Sequence, residues 1–269
     1  MTTVREPAVA GRFYPSQAAT LRADIQSYLS PPRKKIPAIG CIAPHAGYVY
    51  SGAVAGAVFS ALDIPQHCLV LCPNHTGLGH PLAIMSSGKW RSPLGEISID
   101  ADLAGRLVRA FPALTEDSTA HRAEHAVEVE LPFLQTLKSD VSFVPIALGT
   151  SRFILLEQLG MAIATVIQDF GRPILIVASS DMNHYEDDRT TRVKDSKAIE
   201  KILAIDPAGL YETVMNESIS MCGFGPAVAM LTAARQRGAK KAELIQYATS
   251  GDVSGDRDMV VGYAGIVVC

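Results

Sequence analysis

Apolar positions along the chain change their period several times, and each change marks an element. Leu21, Ile25 and Leu29 recur at helical spacing, so residues 18–29 read as a helix after a turn-rich opening at residues 6–15. Pro31, Pro32 and Pro37 end that helix and lead to a strand at residues 38–43. The pattern then alternates: helix 51–62, strand 68–72, helix 101–111, strand 141–148, helix 153–170, strand 173–178. Strand and helix taking turns predicts a mainly parallel sheet covered on both faces. Residues 82–85 and 96–99 flank a turn with Gly and Pro and read as a hairpin that interrupts the alternation. After Asp187 the spacing is helical through Ile202 and again over 207–215 and 226–237, before two closing strands at 242–248 and 260–268. The expectation is an α/β fold: a mainly parallel or mixed central sheet flanked by helices on both faces, in one domain over 1–269.

Composition narrows the function. Apolar residues make up 48% of the chain and charged residues 19%, enough apolar surface to bury a sheet between helical layers. The formal net charge is −3, and the basic residues are scattered apart from Arg33-Lys34-Lys35, which reads as a solvated linker, so no nucleic-acid partner is expected. Arg5 and Glu6 come early, without the apolar run of a secretory signal. No stretch reaches the ~18 uninterrupted apolar residues of a membrane span. A cytoplasmic chain with no membrane partner is expected. The five cysteines, Cys41, Cys68, Cys72, Cys222 and Cys269, lack the paired spacing of a disulfide framework or zinc knuckle, and Cys41, Cys68 and Cys72 read as core thiols.

The candidate chemistry lies where strands end, because loops leaving the carboxyl edge of an open α/β sheet converge there. His45 follows the first strand in Pro44-His45-Ala46-Gly47-Tyr48, His75 the second in Pro73-Asn74-His75, and His184 the strand ending at Ala178, in Ser179-Ser180-Asp181-Met182-Asn183-His184. One such histidine alone reads as a loop residue. Three at equivalent strand ends can meet at one point, and imidazole suits zinc, iron or copper. Asp181 either serves that centre, as a ligand or by orienting a histidine, or caps the next helix. Cys222 opens Cys-Gly-Phe-Gly-Pro at a helix start, which reads either as a pocket thiol with a lowered pKa or as a structural turn. In residues 124–133, His125 and Glu128 share a helical face: His125 as a pocket acid/base with Glu128 beside it, or both on the surface of a proline-kinked helix. Gly77-Leu78-Gly79 is no dinucleotide fingerprint, and neither a phosphate-loop lysine motif nor a Gly-x-Ser-x-Gly elbow occurs.

Seven ordered stretches resemble the Memo family over nearly the whole chain. They are Arg5-Glu6-Pro7-Ala8-Val9-Ala10-Gly11-Arg12-Phe13-Tyr14-Pro15, Pro44-His45-Ala46-Gly47-Tyr48, Pro73-Asn74-His75, Trp90-Arg91-Ser92-Pro93-Leu94-Gly95, Glu124-His125-Ala126-Val127-Glu128, Ser179-Ser180-Asp181-Met182-Asn183-His184 and Cys222-Gly223. The family's fold resembles that of class III extradiol dioxygenases, non-haem iron(II) enzymes that open catechol rings. The resemblance implies metal-ligand positions for His45 and His75, a ligand or acid/base position for His184, and Cys222 where a carboxylate or other ligand sits. A thiolate there shifts preference from iron(II) toward copper or zinc. Some animal members carry adjacent histidines where this chain has His75-Thr76, so His75 itself has to serve. The resemblance also implies a small-molecule or peptide ligand and, in microbes, a radical-SAM protein and a third small partner. The leading expectation is a metal-dependent redox enzyme, with the ion on His45, His75 and His184 or Cys222, Asp181 orienting, and His125 or His184 moving the proton. The rival is a module that holds metal or binds peptide without catalysis; a two-metal hydrolase is a weaker third, short of carboxylates.

Overall fold

A computed structural model describes residues 3–30 and 34–269. Pro31, Pro32 and Arg33, and with them part of the expected basic linker, lie outside the described residues. In chain order the elements are β1 (Val4–Arg5), α1 (Ala18–Tyr28), β2 (Gly40–Ala43), α2 (Tyr48–Ala61), β3 (His67–Pro73), β4 (Leu82–Ile84), β5 (Lys89–Ser92), β6 (Gly95–Ile99), α3 (Ala101–Ala110) and β7 (Thr115–Glu116). They continue with α4 (Ala126–Leu137), β8 (Ser142–Leu148), α5 (Phe153–Phe170), β9 (Ile174–Ser179), β10 (His184–Glu186), α6 (Asp188–Leu203), α7 (Pro207–Asn216), α8 (Phe224–Gln236), β11 (Ala242–Thr249), α9 (Gly251–Ser254) and β12 (Val260–Val268).

Among the described residues, 12 strands form one mixed sheet. Its centre is the parallel set β8-β3-β9-β2, and β12 joins β2 antiparallel. Alternate side chains of each central strand enter different layers, as the two-residue period of a strand requires. Leu69 and Leu71 pack with α3, α5 and α8, while Cys68, Val70 and Cys72 pack with α1, α2 and α4. Cys41, Cys68 and Cys72 are therefore core thiols, all fully buried. The 18-residue α5 is long and apolar enough to cross a membrane by length and composition alone; here its apolar face, including Leu156, Leu159 and Ile163, packs in the layer shared with α8.

The expected hairpin is placed differently. β5 and β6 form it across Ser92-Pro93-Leu94-Gly95, with Trp90 opposite Ile97, whereas β4 pairs with β7 and β8. Charges at Lys89 and Arg91 hid the β5 strand. They face outward to Glu96 and Glu6 while Trp90 is fully buried beneath the Arg5 guanidinium, 4.1 Å from its ring.

Candidate metal centre

Three loops at the carboxyl edge of the parallel set meet the start of α4. His45 leaves β2, His75 leaves β3, and His125 is the N-cap residue of α4. One ligand atom from each lies within 4.8 Å of the other two. The His75 and His125 rings stack at 4.7 Å and 20°, and His45 stands edge-on to both, at 5.1 and 5.4 Å. The expected trio had His184 in place of His125. His184 lines the same pocket but is not one of the three.

The partners of each ring decide what it offers. Glu124, fully buried, accepts from His75 Nδ1 at 2.9 Å and from the His75 peptide at 2.6 Å, which turns His75 Nε2 toward the other rings. Burial lowers the His75 pKa, but the hydrogen bond and charge of Glu124 outweigh it, and the net shift is upward. Burial likewise opposes the ionised form of Glu124, and the same His75 contact overcomes it to leave the carboxyl below its usual range. This carboxylate was passed over in the sequence; its signal was its place directly before His125. Thr76, where an adjacent histidine would stand, turns away and donates to Asn74 at 2.9 Å.

His45 is held from two sides. Its peptide donates to Asp181 Oδ1 at 2.8 Å, and its Nδ1 lies 2.8 Å from Ser179 Oγ. The Ser179 hydroxyl also lies 2.9 Å from the Ala126 carbonyl and 2.7 Å from Glu130 Oε1. Burial pushes the Glu130 carboxyl well above its ordinary range. The Ser179 hydroxyl donates to Glu130 Oε1 or to the Ala126 carbonyl, and so can accept from His45 Nδ1–H. The His45 Nε2 lone pair then faces the other rings, and burial followed by the neighbouring imidazoles keeps the ring neutral.

Asp181 accepts from the His45 peptide and does not cap the next helix; Asp187 caps α6 by accepting from Thr190 at 3.0 Å. Burial raises the Asp181 carboxyl to about 7. Cys222 Sγ lies 3.2 Å from His45 Nε2 and accepts from the Asp181 peptide at 3.3 Å. The lowered thiol pKa expected from the start of α8 is corrected: burial, with Asp181 adding to it, pushes the thiol up instead. Gly223 allows this placement, since a Cβ there would run into the Ser179 carbonyl and Ser180. His184 donates Nδ1–H to the Ser220 carbonyl at 2.9 Å, leaving Nε2 as an acceptor, and burial lowers its pKa.

Glu128 does not join the histidines. It is buried and clasps the N-terminal arm, accepting from Arg5 at 2.5 Å, from Tyr14 at 2.6 Å and from the Ala8 and Val9 peptides. The arm in turn lays Phe13 on the His125 ring at 4.7 Å, and the Phe13 carbonyl accepts from Tyr48 at the start of α2. The pocket these pieces enclose is about 600 Å³, walled further by Tyr185, Val261 and Tyr263.

A solved structure of an uncharacterized protein, JW3007 from Escherichia coli K12, matches with a TM-score of 0.57 over 85% of this chain and 98% of its own, at 14% identity, which speaks to the fold alone. The mixed sheet with helices on both faces is compatible with the class III extradiol dioxygenase-like fold. Curated relatives are far closer in sequence. A MEMO1 family protein of Pyrobaculum arsenaticum and another of Methanopyrus kandleri are each 42% identical, with 98% of both chains covered. A family model described as Memo-like protein matches residues 5–267, from the arginine that clasps the arm through the final strand and every histidine of the centre. The chain belongs to the Memo-like family.

Proposed function

We propose that this chain is a metal-dependent redox enzyme acting on a small molecule, with one ion held by His45, His75 and His125. The observation that carries the reading is three imidazoles whose ligand atoms lie within 4.8 Å at the floor of a pocket wide enough for a ligand. The donor set fits a metal: His75 and His45 have Nδ1 tied to Glu124 and Ser179, the arrangement that orients a ligating histidine and raises its basicity. Three protein ligands leave a coordination position for a reactant. Iron(II) is the first ion to test, by the likeness to extradiol dioxygenases; copper and zinc accept the same nitrogens. When bound, the ion supplies Lewis-acid and redox chemistry toward O2 or a phenolic oxygen.

The chain's own residues do the rest. His184, its Nδ1–H tied to the Ser220 carbonyl, takes a proton on Nε2 from a ligand in the pocket and returns it. His125, expected as an acid/base, holds the ion in this reading. Asp181 fixes the loop that carries His45. Phe13, Val261 and Tyr263 exclude water from the bound ligand. A radical-SAM protein and a third small partner, which the family resemblance implies, are the partners to test against this pocket.

A second reading, a metal-holding or peptide-binding module, is favoured by one contact: Cys222 Sγ, 3.2 Å from His45 Nε2, is near enough to complete a four-ligand closed site. Anaerobic purification followed by iron, copper and zinc analysis separates the readings, using wild type and His45→Ala, His75→Ala, His125→Ala, His184→Ala and Cys222→Ala. Near-stoichiometric metal lost in the first three variants and kept in His184→Ala, with O2 uptake on a phenol panel abolished in His184→Ala, is the expected result. Metal lost equally in Cys222→Ala and no O2 uptake would favour the closed module; a wild type that holds no metal after reconstitution would remove the metal reading.

A further inference from the structure

Tyr185 occupies a backbone conformation that its side chain makes costly. β10 and β12 run antiparallel with His184 opposite Val261 and Glu186 opposite Val260, so three residues face two and Tyr185 is the extra one. Its φ is +61°, the left-handed region that the bulge position ordinarily gives to glycine. The ring gains no burial in exchange, since 69% of the residue is exposed, and its hydroxyl has no hydrogen-bond partner among the described residues.

What the bulge does accomplish is directional. In a regular strand His184 and Tyr185 would point to opposite faces. Here both line the same pocket, their rings 5.7 Å apart. The base expected to move the proton and an exposed aromatic ring are thus presented side by side at its mouth. Phe13, resting on His125, and Tyr263 line the same cavity. Strain held at a site's rim by surrounding structure points to a role toward a ligand, and an unpartnered aromatic face offers stacking to a flat ring.

We propose that Tyr185 is a specificity-determining residue that stacks on a flat, unsaturated ring in the ligand and holds it against His184. This deepens the reading of the pocket as a small-molecule site and rests on it. The fold tolerates glycine at 185 better than tyrosine, so the residue works against stability and for binding. That opposition is what a merely structural role would not produce.

The test titrates the full chain, metal-free and metal-loaded, with 2-naphthol and with its saturated counterpart decahydro-2-naphthol by calorimetry. Wild type is expected to favour the flat probe, Tyr185→Phe to keep that preference, and Tyr185→Gly to lose it by about five- to tenfold. In the same Tyr185→Gly protein, without ligand, the thermal midpoint is expected to rise by about 2–4 °C as the left-handed strain is relieved. A wild type with no preference between the probes, a Tyr185→Gly variant that binds as wild type does, or one whose midpoint falls would each overturn the assignment. A ring preference that survives in a chain holding no metal would keep Tyr185 in this role while the metal reading fails.

Discussion

The clearest consequences at the scale of single residues come from two buried acids. Glu130 is fully buried, burial pushes its carboxyl well above the ordinary range, and one of its oxygens has no partner among the described residues. It pairs with the Ser179 hydroxyl, which an amide does equally well. Glu130→Gln should therefore change stability and metal affinity little, whereas Glu130→Ala should cost about 2–4 kcal/mol through the cavity it leaves; urea denaturation of both variants decides it. Asp195, also fully buried, accepts from the Tyr247 hydroxyl at 2.7 Å and the Asn183 peptide at 2.9 Å, and burial raises it to about 6. An acid whose pKa rises on folding binds its proton more tightly in the native state, so stability is fully present below the unfolded value near 4 and declines as pH climbs to about 6. Between pH 4 and pH 7 the wild type should lose about 2–3 kcal/mol relative to Asp195→Asn, read from urea midpoints at the two pH values. Equal slopes in the two proteins would show that Asp195 titrates normally.

Among elements, the N-terminal arm gathers several of its polar contacts on a single side chain elsewhere. Residues 5–14 contain little regular structure, yet Arg5, Ala8, Val9 and Tyr14 all converge on the Glu128 carboxylate in the first turn of α4. Removing one partner of a buried pair leaves the other charge uncompensated, so Glu128→Ala should destabilise the chain by about 3–5 kcal/mol. It should also release the arm, with trypsin cutting after Arg12 well before global unfolding. Because Phe13 rides on this arm, rests on the His125 ring and walls the pocket, the same variant should also disturb the pocket. A digestion pattern identical to wild type would mean that the arm is held by its apolar contacts alone.

For the whole molecule, the centre ties loops from β2 and β3 to the start of α4, and so joins the sheet to one helical layer. Metal binding to the folded state alone must then raise global stability by mass action. At free metal 100-fold above its dissociation constant the gain is about 2.7 kcal/mol. The thermal midpoint of the wild type should rise by about 5–10 °C on loading, and that of His75→Ala should not move. A rise of the same size in His75→Ala would locate the binding elsewhere.

The sequence by itself determined the architecture and the neighbourhood of the site. Periodicity located the central strands and most of the helices to within a few residues, because buried parallel strands read as continuous apolar runs and long helices repeat their pattern several times. Strand-end histidines marked His45 and His75, since the carboxyl edge of such a sheet gathers its loops. Short and charged strands were less legible: β5 hides a buried tryptophan between two outward-facing cations. The sequence offered His125 as a pocket acid/base, but only tertiary structure put it in the three-imidazole cluster, because the approach of α4 to β3 brings it to His75 across a separation of 50 residues. Tertiary structure also decided the thiol. A helix start favours the thiolate of Cys222, but burial opposes it and wins, since desolvating a charge costs more than one helix terminus returns.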